Sequence, residues 1–281
     1  MKYYIVDAFT SGPFGGNPAG VVVVDDSFPS DKLMCQVAAE LRYSETAFVR
    51  QQGLDEFTVR YFTPAGEVAL CGHATIATFG LLLREGVVAD GDVCLNHTLA
   101  GDLKVKIGGQ VMMQMAKPAV MDQSLDIGRL HAIMSGGVQL QWPGLPVEIV
   151  STGLPDIILP AASLESLNAL QPDMALLAAY STDLDVVGVH AFALADDGFT
   201  AHVRNFAPRY GIPEESATGT ANAALTHYLR RHGVAGAGEC CRFVQGEALA
   251  RPSIVMTKVD RNGDIWVGGE CCVVAKGELL L

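Results

Sequence analysis

The sequence predicts an α+β protein of two pseudo-symmetric domains, each a curved, mainly antiparallel sheet rolled around one buried helix. Three observations carry this prediction. The chain has 281 residues, 49% of them apolar, enough to build two cores of ordinary size. Its halves repeat each other, since EVALCGHATIATFGLLLREG at 67–86 recurs as EESATGTANAALTHYLRRHG at 214–233. Finally, short alternating runs broken by Gly, Pro and Asp outnumber the helical segments.

In chain order, YYIVDAF and GVVVVD alternate as strands do, and DKLMCQVAAELR from Asp31 has helical spacing. TAFVRQ and FTVRYF are again strand-like. ATIATFGLLLREG is apolar on nearly every face, which predicts a central helix wrapped by sheet. Gly86 and Gly233 should stop the two repeated helices as C-terminal caps.

In the second half VRNFAP (203–208) repeats VRYFTP (59–64) at an offset of 144, which also aligns Phe48 with Phe192 and sets Val189 opposite Glu45. At an offset of 147, Glu67 meets Glu214, Gly72 meets Gly219 and Arg84 meets Arg231. TGLPDIILP echoes GGNPAGVVVV, a Gly-x-Pro turn feeding a β-branched run. A period this long is no solenoid unit, which runs to about 20–50 residues, and reads as one fold used twice. DIWVGGECCVVAKGELLL ends the sequence in strand-like alternation.

A net charge of −12 repels phosphate backbones and anionic lipid, so neither nucleic acid nor membrane is expected as a partner. The longest apolar runs fall well short of the roughly 20 residues of a membrane helix. Asp7 interrupts the opening apolar run, so no secretory signal and a cytoplasmic location are expected. Seven cysteines with no C-x-x-C suggest neither a disulfide framework nor a zinc cage, and most are expected buried. No H-E-x-x-H occurs, and no metal is expected. Gly15-Gly16-Asn17-Pro18 is not a dinucleotide fingerprint, so no nucleotide and no other cofactor is expected; its amides and Asn17 are candidate ligand contacts.

The copies differ where chemistry would sit. CGHAT and TGTAN both open helices, where unpaired N–H groups and the positive end of the macrodipole favour an anion such as a carboxylate. Two such starts in pseudo-symmetric domains predict a shared interdomain site for a small carboxylate-bearing substrate. Cys71, Gly72 and His73 stand in one copy and Thr218, Gly219 and Thr220 in the other. Glu214 and Glu215 could serve merely as first-turn acids favouring the second helix dipole.

DAFTSGPFGGNPAGVV, SETAFV, RYFTPAGEVALCGHATIA and PEESATGTANAAL, in this order along the whole chain, resemble the phenazine-biosynthesis PhzF-like family of the diaminopimelate epimerase fold. The resemblance implies a cofactor- and metal-independent isomerase that moves a proton within a small cyclic or unsaturated acid, of the dihydro-hydroxyanthranilate kind. It makes Glu45 of SETAFV a single general acid/base beside an apolar wall of Ala47 and Phe48, with His73 orienting the substrate.

Relatives of this fold that racemise by two bases carry a cysteine in each half. Here Cys71 faces Thr218 across the repeat, and a hydroxyl is too weak an acid to exchange roles with a thiol. An epimerase or dehydratase using Cys71 with Thr218, or a cleft that binds without turnover, stay as alternatives. The family's Asp-Pro before the second helix is Glu215-Ser216 here, which alters a substrate contact. Domains are expected at 1–117, joined by about 268–281, and at 118–267, and a homodimer is implied.

Overall fold

The computed structural model describes residues 1–136, 144–236 and 238–280. They form two compact units, Met1–Gln114 with Gly268–Leu281, and Met115–Val267.

The first unit opens with β1 (Lys2–Ala8) and β2 (Asn17–Val23), an antiparallel pair. Helix α1 (Asp31–Leu41) follows, capped by the Ser30 hydroxyl and closed by Arg42 in the left-handed region. β3 (Thr46–Gln51) then runs parallel to β2, with β4 (Glu56–Thr63) antiparallel beside it. The far edge of β4 is shared between β5 (Gly66–Val68), antiparallel at one end, and β6 (Val93–Thr98), parallel at the other. Between these two strands lies α2 (Gly72–Arg84), and β7 (Gly101–Lys106) and β8 (Val111–Gln114) extend the sheet.

Residues His73–Phe79, Leu81 and Leu82 of α2 are all buried, the all-round burial its composition predicts. Gly86, at φ +72°, and Gly233, at φ +71°, follow the ends of the two repeated helices in the left-handed conformation expected of C-terminal caps.

The second unit writes the same plan again. β9 (Ala119–Met121), α3 (Ile127–Ser135), β10 (Glu148–Ser151), β11 (Pro155–Pro160), α4 (Leu164–Asn168) and α5 (Met174–Asp183) lead into β12 (Val189–Leu194), which is parallel to β11. β13 (Ala201–Ala207) pairs antiparallel with β12, then with β14 (Ile212–Glu215) at one end and parallel with β15 (Cys240–Gln245) at the other. Helix α6 (Gly219–Arg231) is the counterpart of α2, buried from Ala221 to Thr226. β16 (Ser253–Val259) and β17 (Ile265–Gly269) follow, and β18 (Cys271–Glu278) returns to the first unit to pair with β1. Gly80 of α2 must lack a side chain, because a Cβ there would lie 2.6 Å from the sulfur of Cys271 on β18.

Three expectations need correction. The backbone sets Gly188, not Val189, opposite Glu45: Gly20 N–H donates to the Glu45 carbonyl as Ile157 N–H donates to that of Gly188. Val49 and Phe192 are likewise equivalent through their bonds to Val24 and Ala161, so β3 and β12 align at 143 rather than 144, and Phe48 does not meet Phe192. Glu214 is no first-turn acid. It lies on β14 and takes a two-pronged bond from Arg204, at 2.9 and 2.8 Å, as Glu67 does from Arg60. The cysteines are less buried than expected: Cys71, Cys94 and Cys241 are buried, Cys240 is exposed, and the others are intermediate.

Candidate active site

Three of the candidate residues converge in the first unit. Glu45 immediately precedes β3, whose Thr46, Ala47 and Phe48 are fully buried. His73 is the second residue of α2 and only 5% exposed; Cys71 is its N-cap, in extended conformation, with no side-chain cap bond. The first helical backbone bond, Thr75 N–H to the Cys71 carbonyl, leaves the Gly72, His73 and Ala74 amides leading the helix at its positive end.

His73 Nε2 stands 3.3 Å from Glu45 Oε2, close enough for an ion pair, and 3.5 Å from the Ser44 hydroxyl. Cys71 Sγ lies 3.5 Å from His73 Nδ1 and 3.7 Å from Nε2. A carboxylate, an imidazole and a thiol thus share one small space, the first two 3.3 Å apart.

These side chains also offer one oxygen, one nitrogen and one sulfur within 4.8 Å, a donor set zinc accepts and one that sequence spacing did not single out. The sulfur is nearly equidistant from both ring nitrogens, so it sits off either lone-pair direction. Chelation would need the ring to turn. Asn17, the first residue of β2, is buried at the Ala8 register and is not brought into this group by any contact described.

In the second unit Thr218 caps α6 as Cys71 caps α2, and its hydroxyl donates to Glu215 Oε2 at 2.6 Å. Gln245 Nε2 donates to the Glu215 carbonyl and to Thr218 Oγ1, while its Oε1 accepts from Thr218 N–H. Gly219 and Thr220 form the first turn of α6, and the Thr220 carbonyl accepts from the Thr152 hydroxyl. Gln245, 30 residues from Glu215, escaped sequence reasoning because only the parallel pairing of β13 with β15 brings it there. At Gly188 the second unit carries no side chain, and a Cβ would overlap the Phe206 carbonyl oxygen.

The phenazine biosynthesis-like family model (PhzC-PhzF) matches residues 6–277. The chain belongs to this family. An isomerase of Deinococcus radiodurans is 35% identical over 98% of this chain and 94% of its own length. The trans-2,3-dihydro-3-hydroxyanthranilate isomerase of Pseudomonas chlororaphis is 28% identical over 99% of both. The solved PhzF-family phenazine biosynthesis protein of Bacillus anthracis superposes with a TM-score of 0.88, at 24% identity, covering 100% of this chain and 99% of that one. The chain is accordingly an isomerase of the PhzF type with the α+β fold its internal repeat implies. No described helix is long and apolar enough to cross a membrane.

Proposed function

We propose that this isomerase moves a proton between two carbons of a small, carboxylate-bearing cyclic or unsaturated metabolite, with Glu45 as its single general acid/base and no cofactor. The observation that carries this reading is the asymmetry of the repeat: the first unit sets Glu45 3.3 Å from His73, whereas the second has Gly188 and Thr218 where Glu45 and Cys71 would stand.

The Glu45 carboxylate takes a proton from one substrate carbon, and the electron pair of that C–H bond enters the conjugated system. The carboxylic acid so formed returns the proton to another carbon on the same face. His73 and the amides opening α2 bind and orient the substrate's anionic group. On the second unit Glu215, Gly219 and Thr220 are proposed as substrate contacts, and Asn17 is retained as a candidate. The glutamate in place of aspartate, hydrogen-bonded by Thr218, alters the reach of that contact and hence the substrates accepted.

The substrate we favour resembles the dihydro-hydroxyanthranilate of the Pseudomonas relative. Incubating wild type and Glu45→Gln with trans-2,3-dihydro-3-hydroxyanthranilate and a panel of small unsaturated acids, followed by NMR, tests both parts. Conversion by a folded Glu45→Gln protein at the wild-type rate would sink the assignment. The closeness of Cys71 Sγ to the His73 ring favours a second reading, an epimerase or dehydratase using Cys71 with Thr218. That reading predicts the reverse pattern, a dead Cys71→Ala and an active Glu45→Gln. We also propose a cytoplasmic location and a homodimer, the latter checked by light scattering at micromolar concentration.

A further inference from the structure

Behind the start of α6 the second unit buries polar side chains that the chemistry above does not use. Asp156 on β11 is 1% exposed, and His190 on β12, Asn205 on β13, Asn222 on α6 and Gln245 on β15 are fully buried. Two backbone groups fix how these side chains are turned. Thr218 N–H can only donate and does so to Gln245 Oε1 at 3.1 Å, so Gln245 turns Nε2 to the Glu215 carbonyl at 2.8 Å. Gln245 Oε1 also accepts from Asn222 Nδ2 at 2.9 Å, and that nitrogen donates to the Thr218 carbonyl at 2.9 Å. Asn222 must therefore show its Oδ1 to the remaining neighbour, His190.

His190 then carries its ring proton on Nε2. Burial pushes its pKa down to about 3, so the ring is neutral and Nδ1 accepts from Asn205 Nδ2 at 3.3 Å. Asn205 is left with its Oδ1 unpaired, beside the equally unpaired Asp156 carboxyl. A carbonyl oxygen repels a carboxylate but accepts a hydrogen bond from a carboxylic acid. Both Asp156 oxygens, Asn205 Oδ1, His190 Nε2 and Asn222 Oδ1 have no hydrogen-bond partner, so a proton on Asp156 and one on His190 Nε2 would supply what Asn205 and Asn222 lack.

We propose that Asp156 is a positioning residue, held as the neutral acid by the array Asn205, His190, Asn222 and Gln245, so that losing its proton would strain this array and with it the Glu215–Thr218 pair at the start of α6. The proposal rests on the reading of Glu215 as a substrate contact. Burial, with Glu215 nearby adding to it, raises the Asp156 carboxyl to about 7. Around it, β14 contributes Glu215 and β12 the neutral His190, while β13 and α6 contribute only amides and β10 places Val150 opposite. Ionisation would press a carboxylate against Asn205 Oδ1. Relief requires Asn205 and His190 to turn over, and Asn222 and Gln245, held by backbone groups, cannot follow.

The first unit has no such device. At the positions of Asn205 and Asn222 it carries Tyr61 and Thr75, joined by a 2.6 Å hydroxyl bond with Asn96 donating to Tyr61.

The test is amide NMR of the intact protein between pH 5.5 and 9, following Thr218 N–H and the Gln245 side-chain amide in wild type and Asp156→Asn, whose amide supplies the same donor without titrating. Both signals should move with one midpoint near 7 in wild type and stay still in the variant. In parallel, kcat/KM for trans-2,3-dihydro-3-hydroxyanthranilate should fall in wild type by about tenfold per pH unit above that midpoint, and the ratio between pH 9 and pH 6 should rise in Asp156→Asn. Thr218 and Gln245 signals that do not titrate, or titrate equally in the variant, overturn the proposal. Titration that Asp156→Asn abolishes, with catalytic ratios alike in both proteins, upholds the array and instead removes Glu215 from the substrate contacts. Should Asp156→Asn fail to fold, carboxyl 13C NMR of aspartate-labelled wild type decides: a carboxylic-acid shift at pH 5.5 supports the proposal, and a carboxylate shift overturns it.

Discussion

In the reaction proposed, Glu45 works beside the His73 imidazole, 3.3 Å away. Replacing it by Gln keeps shape and removes the proton carrier, so kcat should fall about 10²- to 10⁴-fold in a folded protein, measured by steady-state kinetics. Cys71→Ala, by contrast, should cost less than tenfold, because the proton path described does not pass through the thiol. Asp156 also leaves a mark on stability. Its folded-state pKa of about 7 lies above its usual value, so unfolding lets it ionise, and the resulting penalty grows as pH rises from about 4 to 7. Chemical denaturation should therefore show Asp156→Asn gaining on wild type across that window and no further above it.

The SETAFV and CGHAT motifs made Glu45 and His73 candidates in the sequence, and the fold brings their side chains within 3.3 Å. The Gly188 equivalence was not legible, because the offset slips by one residue between β12 and β13, and only strand pairing reveals it. The Asp156 array was hidden as well, its members coming from β11, β12, β13, α6 and β15.

Among the elements, the β4–β5 and β13–β14 hairpins owe their repeated sequence to an arginine–glutamate fork. Arg204 and Glu214 are 13% and 10% exposed, and Arg204 also donates to the carbonyls of Leu167 and Leu170, tying the end of α4 to β13. Removing one partner strands a charge in a largely dry place, so Glu214→Ala should destabilise the protein by about 3 kcal/mol, read as a lower denaturation midpoint. The repeated glutamate looked like a helix-dipole acid from sequence because its arginine lies ten residues upstream on another strand.

His202 on β13 is gripped by Glu247 at 2.7 Å and Asp197 at 3.0 Å. Burial alone would lower its pKa, but the two carboxylate bonds outweigh burial and raise it. The sign follows: stabilisation by the charged ring is complete below the unfolded value of about 6.5 and is lost as pH rises through the folded one. Thermal unfolding should show the gap between wild type and His202→Gln closing from pH 6 upward, and a gap that widens would contradict this.

For the molecule as a whole, the repeat was the most legible feature, since a shared order of turns, strands and buried helix survives where side chains diverge. The parallel pairings of β2 with β3 and of β11 with β12 were not legible, because buried strands of either sense read alike. One fold used twice frees the second copy from duplicating the chemistry of the first. The central claim is that a single carboxylate on the first unit carries the proton. Substrate deuterated at the carbon that loses its proton, turned over in ordinary water, tests it most directly. The account predicts that part of the label reappears on the accepting carbon, on the same face, and that Glu45→Gln forms product about 10²- to 10⁴-fold more slowly. Delivery to the opposite face, or undiminished turnover by folded Glu45→Gln, would contradict it.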